Sequence, residues 1–531
     1  MNAPRKVLLA AILVIFATAF STASDIYIAQ NAAGGNTGAD CADAHAAAWF
    51  NSSSNWGSAG SQIGPGTTVH LCGTLTSALA AQGSGSSGSP ITILFDSATS
   101  GNISMPALPQ NGAIVLNGLR YITIDGNNQV GIIQSTNNGS SAGGYANQVC
   151  SLAISASGSS NITVRYLQIL NIYVHTTTSD NNAGGCSGVG PPGAVYFPNA
   201  TGPVTVDHTI MTYCATCLNG DSAASAVTVS NSTCENFDHC LGMGNQNAAS
   251  VWGPVYFYNN TVDSMTAWDS TNNVWHHDGV HLWAYCTDGS SYCSGTYWTQ
   301  VYIYNNHFDG DPGANFNSWI FNEENIHNEW VFNNIFDNSA RALQNGAGPV
   351  YGQGNNTHYW NNTFIGNSSQ GVTNLNTGGP SVTSENNVNC SGQLISMMNA
   401  DESGQQPTTV TALDHNYYMS GNSNAFIWKG SFLSFSDFSN WESDSRETNS
   451  AVSASCTVNS NGTLQSGSIA VGGGTNLYTT CNGQATPGLG ALCSDYNGTA
   501  RPSTGAWDAG ALSYSTSAQP SPPTGLQASV Q

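Results

Sequence analysis

Five of the twelve histidines in this 531-residue chain fall between positions 276 and 327: His276, His277, His281, His307 and His327. Three of them share the run Asn273-Val-Trp-His-His-Asp-Gly-Val-His-Leu-Trp283 with a carboxylate, Asp278. A second run, Phe321-Asn-Glu-Glu-Asn-Ile-His327, adds Glu323 and Glu324. Only 7% of the chain is charged, where about 25% is usual, so this concentration carries information. Paired carboxylates can protonate a leaving oxygen and activate water, imidazoles can move the proton, and indole faces stack on sugar rings. The candidate catalytic groups are therefore Asp278, Glu323, Glu324, His277 and His281. The candidate substrate-binding groups are Trp275, Trp283, Trp319, Asp238, His276 and Arg341.

Other chemistries compete for the same residues. Outward His, Asn and Asp side chains of a repeat can form hydrogen-bonded columns with no catalytic duty, and the pairs Asp207-His208 and Asp238-His239 read that way. His276, His277 and His281 supply enough imidazoles for a metal ion. Adjacent residues of a strand point to opposite faces, however, so no metal site is predicted. Asp309-Gly-Asp311 is a weak calcium candidate that reads better as a plain turn, and no cofactor is expected. No Gly-x-Ser-x-Gly elbow or phosphate loop occurs.

These residues must be held by a repeat. Short β-type runs end in paired asparagines: Val255-Tyr-Phe-Tyr-Asn-Asn260, Val301-Tyr-Ile-Tyr-Asn-Asn306, Trp330-Val-Phe-Asn-Asn334, His358-Tyr-Trp-Asn-Asn362 and Val382-Thr-Ser-Glu-Asn-Asn387. The pairs begin at 259, 305, 333, 361 and 386, at intervals of 46, 28, 28 and 25. A repeat of this length with short strands and Asn at a fixed turn fits a parallel β-solenoid whose coils stack about 4.8 Å apart. A β-propeller would need blades of about 40–50 residues, which only the 46-residue interval meets. The pattern resembles the right-handed parallel β-helix of the pectate-lyase-like superfamily over roughly residues 110–430. The long interval marks an insertion at 263–300, on the kind of face where solenoids bind. A second strand follows each turn, and stacking these strands places His239, Asp278, Asn317 and Ser339 in one column.

The expected class is thus all-β, a disulfide-stabilised parallel β-helix with loop insertions. Residues 1–24, with Arg5, Lys6 and an apolar stretch from Val7 to Phe20, read as a secretory signal peptide. Residues 25–110 read as an N-terminal cap and first coils, 111–430 as the core, and 431–515 as C-terminal coils and cap. Residues 516–531 read as a Pro/Ser-rich tail that resembles the opening of a fibronectin-type-III strand. Gly498-Thr-Ala-Arg-Pro-Ser-Thr-Gly-Ala-Trp-Asp-Ala-Gly510 resembles the closing segment of secreted β-helix proteins and is expected over the last coil. Fourteen cysteines in an exported chain predict disulfides, with Cys41–Cys72, Cys286–Cys293 and Cys481–Cys493 as candidate pairs. Cys214-Ala-Thr-Cys217 reads as neither zinc site nor redox pair.

A net charge of -22 excludes nucleic acid and anionic lipid as partners. No segment after residue 24 is apolar enough to span a membrane, and a monomer is expected. His-His-Asp278-Gly is similar to the Asn-Thr-Asp-Gly signature of polygalacturonase-type glycosidases, which implies Asp278 as the acid. That family's paired Asp-Asp, Gly-His-Gly and Arg-x-Lys do not follow, so Glu323 or Glu324 must supply the second carboxylate. The leading expectation is a secreted protein that binds and cleaves an extracellular polysaccharide. A non-catalytic surface or adhesin-type protein is the first alternative. The second is a calcium-assisted polysaccharide lyase, because Val206-Asp207-His208 resembles the Trp-Ile-Asp-His strand of pectate lyases. Lyase chemistry needs cations beside the reacting carbon, and only Arg165 and Arg341 lie in nearby coils.

Overall fold

Alternating apolar residues put one face of each short strand inward, and parallel stacking then sets like residues on like. A computed structural model describes residues 25–137, 150–172, 193–245, 250–265, 277–284, 296–311, 313, 316–323, 326–337, 355–366, 381–390, 410–419 and 447–515. It also describes residues 438–439 and the short strands Leu343–Asn345, Thr373–Leu375, Ile395–Met397, Phe426–Trp428 and Ser431–Leu433. Among these, strands of successive coils pair in parallel in two long sheets that run the length of the molecule, and Phe426–Trp428 pairs antiparallel with Ser431–Leu433. The architecture is the expected right-handed parallel β-helix, and the helical segments among the described residues are short, none longer than five residues. The column Val206, Val229, Phe257, Ile303, Val331 and Tyr359 shows the register. Every member is at most 1% exposed. Phe308, Phe336 and Phe364 form a second inward stack, with ring centroids 4.7 and 4.9 Å apart.

The turn asparagines divide the work between the two members of each pair. The first takes left-handed backbone, at Asn259, Asn305, Asn333, Asn361 and Asn386, as do Asn231 and Asn449, each of which precedes a Ser; Asn tolerates this conformation better than other side chains. His208 and His415 occupy the same turn position with φ of 48° and 52°, so Asp207–His208 is indeed a turn feature. The second Asn is buried and links coils. Asn260 donates its backbone amide (2.9 Å) and its Nδ2 (3.1 Å) to Asn306 Oδ1, and Nδ2 also to Val229 O (3.0 Å). Asn306, Asn334, Asn362 and Asn387 repeat this pattern onto the next Asn. The ladder ends where Asn416 Nδ2 meets Glu447 Oε1 at 3.1 Å.

Disulfides join Cys41–Cys72 and Cys481–Cys493, both anticipated, and also Cys217–Cys234 and Cys390–Cys456. Cys217 is therefore not paired with Cys214, which is buried as a free thiol. Cys286 and Cys293 lie outside the described residues, as do residues 1–24, the tail 516–531 and most of the insertion at 263–300. The segment around Arg501 does not lie over the last coil, as the sequence suggested. It folds back along the side of the helix and bonds the turn asparagines. Arg501 Nη2 donates to Asn333 Oδ1 (2.9 Å), Asn361 Nδ2 to Gly510 O (3.3 Å), and Asn386 Nδ2 to Thr475 O (2.9 Å). Trp507 and Leu492 pack there against Tyr304, Phe332 and Trp360, a flank that would otherwise leave an apolar strip in water.

Candidate functional site

Four strands of consecutive coils build one corner of the helix: Ile210–Asn219, Thr233–Asn245, His277–Ala284 and Phe316–Glu323. Their register sets Thr216, His239, Asp278 and Ser318 in one column, and Asn219, Gly242, His281 and Phe321 in another. Asn317 does not take the place expected for it. A bulge pairs His277 with Phe316 but Asp278 with Ser318, so Asn317 is the extra residue. Glycines fit the chain to this corner. A Cβ on Gly279 would lie 2.3 Å from Trp319 O, and one on Gly244 would lie 2.1 Å from the Trp283 ring.

Two carboxylates and three imidazoles meet here. His239 Nδ1 is 3.0 Å from Asp238 Oδ2, and His277 Nδ1 is 2.8 Å from Asp238 Oδ1. On its other side His239 Nε2 lies 3.4 Å from Asp278 Oδ2, as does His281 Nδ1. His281 Nδ1 and His239 Nε2 are themselves 3.4 Å apart. Asp278 Oδ1 accepts the Ser318 backbone amide at 3.3 Å. His277 and Asp278 are fully buried, Asp238 and His281 nearly so, and only the His239 side chain reaches 16% exposure.

Burial alone would raise the Asp238 carboxyl, but hydrogen bonds and charge from His239 and His277 hold it well below the usual carboxylate range. Burial likewise disfavours a charged His239, yet Asp238 and Asp278 outweigh it and raise the ring to about 10. An imidazole clamped between two carboxylates can take or give a proton at the edge of the protein. Nearby, Asp221 accepts the Gly244 amide at 2.8 Å, and its carboxyl is raised chiefly by burial.

Of the residues singled out from the sequence, the structure brings together Asp238, His277, Asp278, His281 and Trp283. Trp283 is partly exposed, with its ring 4.7 Å from that of His281. Trp319 is not a groove platform: it is fully buried in the core beside Phe308 and Phe316. Glu323 stands opposite Trp283, five residues along its strand from Ser318. Trp275, His276, Glu324 and Arg341 lie outside the described residues. His327 stacks on Tyr297 at 4.3 Å, away from the cluster. Asp309 and Asp311 accept the amides of Gly310 (2.6 Å) and Gly313 (3.0 Å), as a plain turn does. Arg165, a cation that a lyase would require, is committed to Asp125 at 2.8 Å. From the sequence alone His239 reads as a ladder residue. The signal was its column, which it shares with Asp278.

No protein-family model matches the chain, and no curated protein matches it. Similar solved structures include DFA-IIIase from Arthrobacter chlorophenolicus A6 without its lid, at 13% identity over 77% of this chain and 92% of that one, with a TM-score of 0.42. Pectate lyase Pel9A aligns at 14% identity over 93% and 98% of the two chains, with a TM-score of 0.41. XylC in complex with xylose aligns at 8% identity over 92% and 98%, with a TM-score of 0.48. These values are too low to transfer an activity.

Proposed function

We propose that the chain acts outside the cell on a polysaccharide, binding it and cleaving it by acid–base chemistry at the Asp238–His239–Asp278 corner. The observation that carries this reading is the His239 ring held between two carboxylates beside a partly exposed indole, Trp283. Such a chain can deliver a proton to a glycosidic oxygen. In this reading Asp278 sets the proton state, His277 and His281 orient it, and Glu323 or Glu324 supplies the second carboxylate. The N-terminal signal-like segment and the disulfides support an extracellular setting.

One observation favours a second reading. Asp278 is fully buried in coil-to-coil contacts, which suits a non-catalytic surface protein with a merely structural cluster. A screen for new reducing ends on neutral and acidic glycans separates the two, with Asp278→Asn alongside. The enzyme reading expects cleavage of at least one glycan, reduced about 100-fold or more by the substitution. Cleavage unaffected by Asp278→Asn would reject the site, and no cleavage of any glycan would favour the surface protein.

A further inference from the structure

We propose that His239, Asp278 and His281 form a binding site for a divalent transition-metal ion with the size and preferences of zinc. The argument begins with a triangle. His239 Nε2, Asp278 Oδ2 and His281 Nδ1 are each 3.4 Å from the other two. A tetrahedral ion with bonds of about 2.0–2.1 Å holds its ligand atoms roughly 3.3–3.4 Å apart, so all three donors reach one centre without moving. Two imidazoles and one carboxylate suit zinc and its neighbours. Calcium is excluded by the same set, because it takes 6–8 oxygen donors at about 2.3–2.6 Å.

The surroundings are those of a ligand set. Asp238 Oδ2 holds His239 Nδ1 at 3.0 Å, which leaves Nε2 to face the triangle. His277 Nδ1 fixes the other Asp238 oxygen at 2.8 Å. The Ser318 amide engages Asp278 Oδ1 and leaves Oδ2 turned toward the two histidines. From the sequence no metal is expected, because adjacent His276 and His277 point to opposite faces of a strand. The structure draws its donors from two coils instead, through the short motif Asp278-Gly-Val-His281 and the preceding His239. Among the described residues the donors number three, and an ion bound to them displaces the proton from His239 Nε2, so metal binding and proton delivery by that ring are alternative states of the corner.

The test is metal binding by the untagged full chain after chelation and dialysis. Calorimetric titration with zinc is expected to give one equivalent bound with a micromolar or lower Kd. Cobalt is expected to give the intense visible bands of a four-coordinate ion, a readout that needs no variant. His281→Gln should weaken zinc binding at least 100-fold and Asp238→Asn about 10–100-fold, while His208→Ala should leave it unchanged. Absence of zinc binding, six-coordinate cobalt spectra, or undiminished binding in a folded His281→Gln chain would each overturn the proposal. Bound metal is read directly, so a chain that binds zinc and cleaves no glycan upholds this site and rejects the function proposed above.

Discussion

The asparagine ladder and the Asp–His corner are both columns of polar side chains stacked one coil apart, yet they obey different rules. An amide donates and accepts, so each ladder Asn is satisfied by an identical neighbour, and the column runs unbroken from Asn260 to Asn416. A carboxylate only accepts, and two of them one coil apart repel. The corner column accordingly alternates, from Thr216 through His239 and Asp278 to Ser318, and each member differs from the last. A column that copies itself builds the fold. A column that needs a proton or an ion to hold it together is where chemistry or binding can occur.

The sharpest way to break this comparison is to put an ionisable group in the ladder. Asn334 Nδ2 donates to Ile303 O (2.9 Å) and Asn362 Oδ1 (3.0 Å), while Asn334 Oδ1 accepts from Asn306. Asn334→Asp keeps the acceptor, loses both donations, and sets a buried carboxylate oxygen against Asn362 Oδ1. We expect a loss of about 4 kcal/mol in urea unfolding at pH 7. Part of it should return at pH 4, where a protonated carboxyl donates once. A loss below about 1 kcal/mol would show that ladder and corner do not differ in kind.

The wild-type chain already contains a mixed case. Glu329 occupies an inward position between Val301 and Thr357 in register, is fully buried, and accepts Asn322 Nδ2 at 2.6 Å. Burial raises its carboxyl to about 7, against a small opposing effect of Asn322. A carboxyl raised in the folded state is held as the acid, so folding binds a proton that the unfolded chain releases near pH 4.5. The Glu329 contribution to stability therefore falls as pH rises from about 4.5 to 7, by roughly 3 kcal/mol in all, and is level above that. Glu329→Gln keeps the acceptor for Asn322 and offers a donor toward Thr357. It should remove this slope and leave the variant roughly 3 kcal/mol more stable than wild type at pH 8. Parallel slopes for the two proteins would mean that Glu329 ionises freely or is compensated.

The sequence carries the fold well, because the spacing of Asn259, Asn305, Asn333, Asn361 and Asn386 is itself the coil length. Composition and stacking likewise point to His277, Asp278 and His281, which are rare residue types in this chain. What the sequence hides is local geometry. Nothing in Phe316-Asn-Ser announces a bulge, yet one extra residue shifts the pairing by one, so Ser318 and not Asn317 faces Asp278. Trp319 shows how poorly residue type predicts direction, since an indole read as a sugar platform is core. Glu329 was masked the other way: period two from Val331 turns it inward, but a carboxylate is not an expected core residue. The return of the Arg501 segment onto Asn333 joins residues 168 apart, beyond the reach of any repeat pattern.

The smallest effect concerns a column that follows neither rule. Glu235 pairs with Asp263, and Asp263 with Asp309, so carboxylates stack on one strip in three successive coils. The Glu235 carboxyl is raised, first by burial and then by the Asp263 charge. The strip is half-exposed, so water and salt blunt the repulsion, which explains how the fold tolerates it. Asp263→Asn should remove only the charge part of the Glu235 shift and stabilise the chain by a few tenths of a kcal/mol at pH 7 in low salt. The gain should fade at low pH, once the raised Glu235 carboxyl is protonated and no longer meets the charge at 263, and shrink in high salt. A gain independent of pH and salt would trace to packing, and a loss would mean that the three carboxylates share a cation. In that event the strip obeys the rule of the corner after all.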